Sequence, residues 1–291
     1  MNIIALEGDE RTVRKEDYMK KSFVTRVKAA VMALIFAATV FTVGDFEVNA
    51  AAQVKLGQIY RPNPKANNLG GEAESYTFTA PANGYFKVDT RLMMCKSYLG
   101  GNKTQGSTSV KLEADNKLLW NYAISTGGGE VYSPRFALAA GQTVTLTYGC
   151  ESDELGYDYA FKIDAAYPEN FEKENNDKAK NANAVQIKKV YNGLINGGIG
   201  DCDWYVFKAP KTGNYKFTVS NTETENVPCF VQFEGYKTKT KADKKNLGNL
   251  TRGTSKTSKK INLRKGKKYF IKISTTQGSD VPYTIRFKKV K

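Results

Sequence analysis

The stretch Tyr76-Thr-Phe-Thr-Ala-Pro-Ala-Asn-Gly84 recurs as Tyr205-Val-Phe-Lys-Ala-Pro-Lys-Thr-Gly213, at a constant offset of 129 and with five of nine positions identical. A repeat of this kind restricts the chain to tandem copies of one supersecondary unit. In the second copy Tyr205, Phe207 and Ala209 alternate with Trp204, Val206 and Lys208, the period of two that a pleated strand imposes. Pro210 cannot donate to a ladder and Gly213 tolerates turn angles, so the strand stops there. Tyr215, Phe217 and Val219 then restart the alternation on a return strand. A second block also repeats. Leu138–Leu146 parallels Leu263–Ile271 at an offset of 125, and Tyr159, Phe161 and Ile163 align with Tyr283, Ile285 and Phe287. Each half reads as about eight short strands spaced near ten residues, and only a turn near Asp177–Ala184 has any helical character. The expectation is an all-β protein of two tandem antiparallel β-sandwich (jelly-roll-like) domains, residues 51–165 and 166–291. The division falls near Ala165–Asn170, where Pro168 and a polar run interrupt the pattern.

Residues 1–50 read as a signal peptide region. Lys20, Lys21, Arg26 and Lys28 precede the apolar run Ala29–Val43, and Val48-Asn49-Ala50 offers small residues for a signal peptidase. That run is short against the roughly 20 residues a spanning helix needs. Met19 is the expected working start, because the eighteen residues before it are polar and of both charge signs. The mature chain is expected to be secreted, extracellular or cell-wall associated, with no transmembrane segment.

Two features of composition exclude function classes. The chain contains no His, which removes Ser-His-Asp and Cys-His catalysis and His-ligated zinc. The net charge of +15 lies wholly in one half: residues 51–165 hold 11 Lys+Arg against 11 Asp+Glu, and residues 166–291 hold 26 against 11. Four Cys in an exported chain fit pairing within each half, Cys95 with Cys150 and Cys202 with Cys229, or else free buried thiols.

The second half crowds Glu172, Glu174, Asn176 and Asp177 into six residues, and Asp201 and Asp203 stand at the start of the repeated hairpin. Calcium takes six to eight oxygen ligands of these types. The same residues also suit a solvated linker with ordinary turn aspartates. Residues 168–291 resemble the bacterial pre-peptidase C-terminal domain, a β-sandwich appended to secreted proteases and clostridial collagenases. The matching features are Glu174-Asn-Asn-Asp177, Gly193-Leu-Ile195, Asp203-Trp-Tyr-Val-Phe207, Gly213-Asn-Tyr215, and Gly266-Lys-Lys-Tyr269 with Tyr283. The resemblance implies a Ca2+ site built from an E-x-E-x-N-D leader, which Glu172–Asp177 matches, and a later Asp pair, from whose spacing Asp201 and Asp203 depart. The first half is similar to the same family more faintly. It lacks the leader and carries Glu72 and Glu74 where the second half has Asp201 and Asp203.

The repeated aromatics read as core. Trp120 and Tyr122 have no counterpart in the second half and could serve either as an exposed contact or as core. Lys237, Lys239, Lys241, Lys244, Lys245, Lys259, Lys260, Lys267 and Lys268 form dense cationic loops. They are expected either to attract a cell-wall anionic polymer, an acidic glycan or an extracellular matrix protein, or to be a solvated surface without a ligand. Nucleic acid is not expected, since Arg, the bidentate base reader, is scarce. Nothing marks a catalytic pair, so the chain reads as a non-catalytic binding or accessory protein. A structural spacer and a carboxylate-dependent glycan-active enzyme are the alternatives.

Overall fold

Along Gly213–Asn221 every second side chain is buried, from Tyr215 through Phe217 and Val219, and the same alternation runs along Ser107–Ala114 and Thr143–Gly149. Strands with one buried face must cover it with another sheet, and here four sheets do so in two pairs. The computed structural model describes residues 51–61, 73–97, 102–103, 107–149, 155–196, 200–275 and 280–291. The leader and Met19 lie outside the described residues. Among the described residues, no helix is long and apolar enough to cross a membrane.

The first pair of sheets draws on β1 (Ala52–Gln53), β2 (Ile59–Tyr60), β3 (Glu74–Thr79), β4 (Gly84–Ser97), β5 (Asn102–Lys103), β6 (Ser107–Ala114), β7 (Lys117–Ser125), β8 (Val131–Tyr132), β9 (Phe136–Leu138), β10 (Thr143–Gly149) and β11 (Leu155–Ala166). One sheet runs β1-β3-β10-β6-β7. The other runs β2-β11-β4-β5, with β8 and β9 also paired to β4.

The second pair draws on β12 (Asn183–Val185), β13 (Val190–Asn196), β14 (Cys202–Lys208), β15 (Gly213–Asn221), β16 (Phe230–Tyr236), β17 (Ala242–Thr251), β18 (Ser255–Thr257), β19 (Ile261–Leu263), β20 (Lys268–Ser274) and β21 (Asp280–Val290). Its orders are β12-β14-β20-β16-β17 and β13-β21-β15-β18, with β19 on β15.

Apart from β5, which has no counterpart in the second, the two pairs share one topology. Each begins with a short parallel strand, β1 on β3 and β12 on β14, in an otherwise antiparallel sheet. The registers coincide as well: Tyr76 stands opposite Ala52 and Leu146, and Tyr205 opposite Asn183 and Ile271. The repeat read from the sequence is therefore a repeat of the fold. The helical turn expected near Asp177–Ala184 is a 3₁₀ turn at Ala179–Asn181.

Each sandwich has its own aromatic core. Phe78, Phe86, Phe136 and Phe161 are fully buried in the first, and Phe207, Tyr215, Phe217 and Phe287 in the second. Phe207 and Phe287 stack with ring centroids 4.4 Å apart. Each such ring contributes about 2 kcal/mol of burial. Trp120 packs half-buried on the rim of the first core and stacks on Tyr122, which is 51% exposed, so the pair divides between the two roles expected of it.

A polar clamp joins the sandwiches. Arg135, between β8 and β9, donates through Nε to Asp280 and through its Nη2 to Glu223. Asn196 Nδ2 donates to the Arg135 carbonyl at 3.2 Å. Two aromatic contacts tie β4 to the segment that follows β11, Tyr85 against Phe171 and Phe86 against Tyr167.

The disulfide expected between Cys202 and Cys229 is not formed, and both are free thiols. Cys202 on β14 stands opposite Ser274 of β20, and Ser274 stands opposite Gln232 of β16 on its other side. A whole strand thus separates the column of Cys202 from β16, which Cys229 precedes. Two strand spacings come to about 10 Å, beyond the roughly 7 Å that a disulfide can span between Cα atoms. Cys150 lies outside the described residues, so the expected Cys95–Cys150 pair does as well.

Candidate metal centre

The leader 172–177 has little regular structure, and side chains hold it in place. Asn183 clamps it from β12, donating Nδ2 to the Lys173 carbonyl and accepting the Lys173 amide on Oδ1, both at 3.0 Å. Asn181 Nδ2 donates to the Asn175 carbonyl, and Asn192 Nδ2 to the Glu169 carbonyl. The Trp204 amide of β14 donates to the Asn176 carbonyl at 3.1 Å. These contacts tie the leader and the residues before it to β12, β13, β14 and the 3₁₀ turn.

Three carboxylates meet there. Glu172, Glu174 and Asp203 each bring an oxygen within 4.8 Å of the others. Asp203 is fully buried, Glu172 is buried and Glu174 is half-buried. Asp203 owes its position to the strand alternation, which turns it inward two residues before Tyr205. Glu172 Oε1 accepts the Leu194 amide at 2.7 Å, and its Oε2 accepts from Asn176 Nδ2 at 3.1 Å. The hydroxyls of Tyr205 and Tyr283, 2.8 Å apart, each lie 3.0 Å from Glu172 Oε2. Tyr283 also approaches Asp203 Oδ2 at 2.6 Å. A tyrosine has one proton to donate, so Tyr283 cannot serve both carboxylates at once.

The electrostatics are unfavourable without a cation. Burial pushes the Asp203 carboxyl well above the usual range, and the negative charges of Glu172, Asp201 and Glu174 push it further. Glu174 is raised in the same way, first by burial and then by Glu172, Asp201 and Asp177. Burial also raises Glu172 against the hydrogen bonds it accepts. No Lys or Arg pairs with the trio among the described residues. Two buried oxygens, Asn176 Oδ1 and Asp203 Oδ1, have no hydrogen-bond partner. Such oxygens are costly to leave unsatisfied, and a hard cation would satisfy both them and the clustered charge.

Of the six residues expected to hold a metal, the fold gathers the Glu172, Glu174 and Asp203 oxygens and buries the Asn176 amide beside Glu172. Asp201 lies near enough for its charge to act on Glu174 and Asp203; its Oδ2 accepts the Asn196 amide at 2.9 Å, and burial raises its pKa to about 8. Asp177 Oδ1 faces the Cys202 amide at 3.5 Å, and its Oδ2 lies 4.0 Å from Lys117 Nζ of the first sandwich. The nine loop lysines are all exposed, at the β16–β17 turn, on the β17 edge, before β19 and at the start of β20.

In the first sandwich the tyrosine pair recurs, with the Tyr76 and Tyr159 hydroxyls 2.8 Å apart. Glu74 takes the place of Asp203, accepting from Tyr76 at 2.7 Å and also from Tyr159. Glu72 lies outside the described residues. The hydroxyls of Tyr205 and Tyr283 and the three positioning asparagines Asn181, Asn183 and Asn192 were not marked as site residues by the sequence. The clearest local sign of the latter was the run of asparagines from Asn175 to Asn183.

Gly193 shapes the pocket. A Cβ built there would sit 2.4 Å from Cζ and from the hydroxyl oxygen of Tyr283, its partner across β13 and β21. Gly193→Ala should displace that ring, lower stability by about 2 kcal/mol through overpacking, and weaken any response to cations. Thermal melts with and without calcium test this, and an unchanged melting curve would show that the ring has room to move.

No protein-family model and no curated protein matches the chain. Among solved structures it is similar to the pre-peptidase C-terminal domain of a collagenase from Bacillus anthracis, with 19% identity over 37% of this chain and 94% of that one and a TM-score of 0.29. It is also similar to the CUB1-EGF-CUB2 domains of rat MASP-1, with 12% identity over 81% of this chain and 100% of that one and a TM-score of 0.25. Likenesses of this size carry no argument about function, and the fold stands on its own sheet topology.

Proposed function

We propose that the chain is an exported, non-catalytic binding module whose second sandwich is stiffened by calcium and offers a cationic surface to an anionic polymer or matrix component. The observation that carries this reading is the trio of Glu172, Glu174 and Asp203, with two unsatisfied buried oxygens, one on Asp203 and one on Asn176. The donor set is all oxygen, which suits a hard cation and not zinc or copper. Calcium fits better than magnesium, which keeps several waters and demands a near-ideal octahedron that a buried, protein-lined site does not readily give. Glu172, Glu174, Asp203 and Asn176 would hold the ion, which would supply the positive charge that the cluster lacks.

Burial of Glu172 and Asp203 also argues against a catalytic pair, because a sugar cannot reach carboxylates sealed beneath tyrosines. Calcium titrated calorimetrically into the chelator-treated full chain should give a single saturable binding event, with magnesium much weaker. Absence of heat together with an unshifted melting curve would reject the site. The Arg135 clamp favours a second reading, a rigid spacer without a ligand. Salt-sensitive retention on cell wall, collagen or acidic glycans separates the two, and no retention on any of them would leave the spacer.

A further inference from the structure

The charges of the second sandwich are sorted along its strands. The carboxylates of the cation site, with Glu223 and Asp280, sit at the end where β14 and β21 begin and β13 and β15 finish. Lysines collect at the opposite end. There Lys208 stands directly opposite Lys268 across β14 and β20, and Lys216 directly opposite Lys288 across β15 and β21. Like charges directly opposed in a sheet are destabilising. The turn that follows Lys208 is locked to the turn before Lys268 by two backbone bonds, Ala209 N to the Lys267 carbonyl at 2.9 Å and Gly266 N to the Ala209 carbonyl at 2.8 Å. Lys211 and Lys267 therefore join the same end. Residues 204–222, 244–279 and 281–291 contain no Asp or Glu, and none of these lysines has a carboxylate partner among the described residues.

The first sandwich supplies an internal control. At the register of Lys208 and Lys268 it has Thr79 and Thr143, whose hydroxyls lie 2.9 Å apart. At the register of Lys216 and Lys288 it has Lys87 opposite Asp164. The scaffold thus accepts neutral or opposite-charge pairs at both places, and the lysine pairs are not a requirement of the fold.

We propose that this distal end of the second sandwich is a docking site for a linear, phosphate-bearing polyanion. The proposal rests on the reading of the chain as a binding module and is independent of the cation site. Charge complementarity selects a polyanion. Paired ammonium groups act as compact point charges, the way Lys binds the oxygens of a tetrahedral phosphate. The turns Ala209–Thr212 and Arg264–Lys268 carry no large exposed apolar side chain to enter a bilayer, which disfavours a lipid surface.

The test uses the full chain, long-chain inorganic polyphosphate as the probe, and one fixed free calcium concentration throughout. Binding should occur and weaken steeply with salt. The variant Lys208→Thr/Lys268→Thr/Lys288→Asp, which installs the first sandwich's residues, should lose roughly tenfold or more in affinity with no fall in melting temperature. Lys237→Ser/Lys239→Ser/Lys241→Ser, in the β16–β17 turn, should bind nearly as the parent does. Equal losses in the two variants would overturn the site, as would equally tight binding to polyglutamate or binding to phosphatidylglycerol vesicles alone. Failure to bind polyphosphate while the chain is still retained on cell wall or acidic glycan would overturn this inference and leave the binding-module reading intact.

Discussion

Asp203→Asn should lower stability in calcium and leave it equal or higher without. In saturating calcium the variant loses a charged ligand, so the stabilisation that binding confers falls away. For a free ion at 100 times its dissociation constant that stabilisation is about 2.7 kcal/mol, or roughly 10 °C or more in the melting temperature of a domain of this size. In chelator the same change should leave stability equal or higher. Asn keeps the oxygen that accepts from Tyr283, and three clustered carboxylates become two. An ordinary core substitution would lower stability in both conditions. Melting curves of parent and variant in calcium and in EDTA decide the matter, and a similar loss in both would mean that Asp203 is only a packing residue.

Arg135→Ala should cost about 3 kcal/mol, far more than an exposed ion pair, which is worth about 0.5 kcal/mol. The reason is what it leaves behind: the Glu223 side chain has no exposure, and those of Arg135 and Asp280 are only 19% and 18% exposed. Glu223 would retain the amides of Thr224 and Glu225 but lose its cation. Glu223→Gln in the Arg135→Ala background should recover part of the loss, and the double-mutant cycle in urea measures the coupling. Burial alone would raise the Glu223 carboxyl, but the Glu225 amide, the Arg135 guanidinium and the Thr224 amide outweigh it and hold the group below its ordinary 4.5. Its contribution is therefore complete above pH 4.5 and is lost as the pH falls through the lower folded value. A cost below 0.5 kcal/mol, or one unchanged by acid, would show that the clamp does not hold the sandwiches together.

The repeat was enough to predict the fold, because Tyr76 and Tyr205 recur within a period-two pattern that only a strand accommodates, and the registers on either side of them coincide. The acidic trio was legible in part. Glu172 and Glu174 stood out by their crowding and Asp203 by its place before the hairpin. Asp201, however, stands just before β14 with its Oδ2 on the Asn196 amide, and nothing local distinguishes the two aspartates. The clamp could not be read, since Arg135 and Glu223 lie 88 residues apart and neither belongs to a motif. The opposed lysines were also hidden. Lys216 and Lys288 look unremarkable in the sequence and become neighbours only through the pairing of β15 with β21.

The shared topology also leaves two equivalent sheet edges with different defences. Among the described residues β7 and β17 each end a sheet with no further strand beside them. On β17, Lys244 and Lys245 put exposed charge on that edge, which repels a foreign strand. On β7 the run from Leu118 to Ser125 is uncharged, and Leu118 and Tyr122 are exposed. Self-association through edge-to-edge strand pairing in concentrated solution is therefore expected to begin on the first sandwich, and a lysine at Asn121 is the smallest change that would guard it.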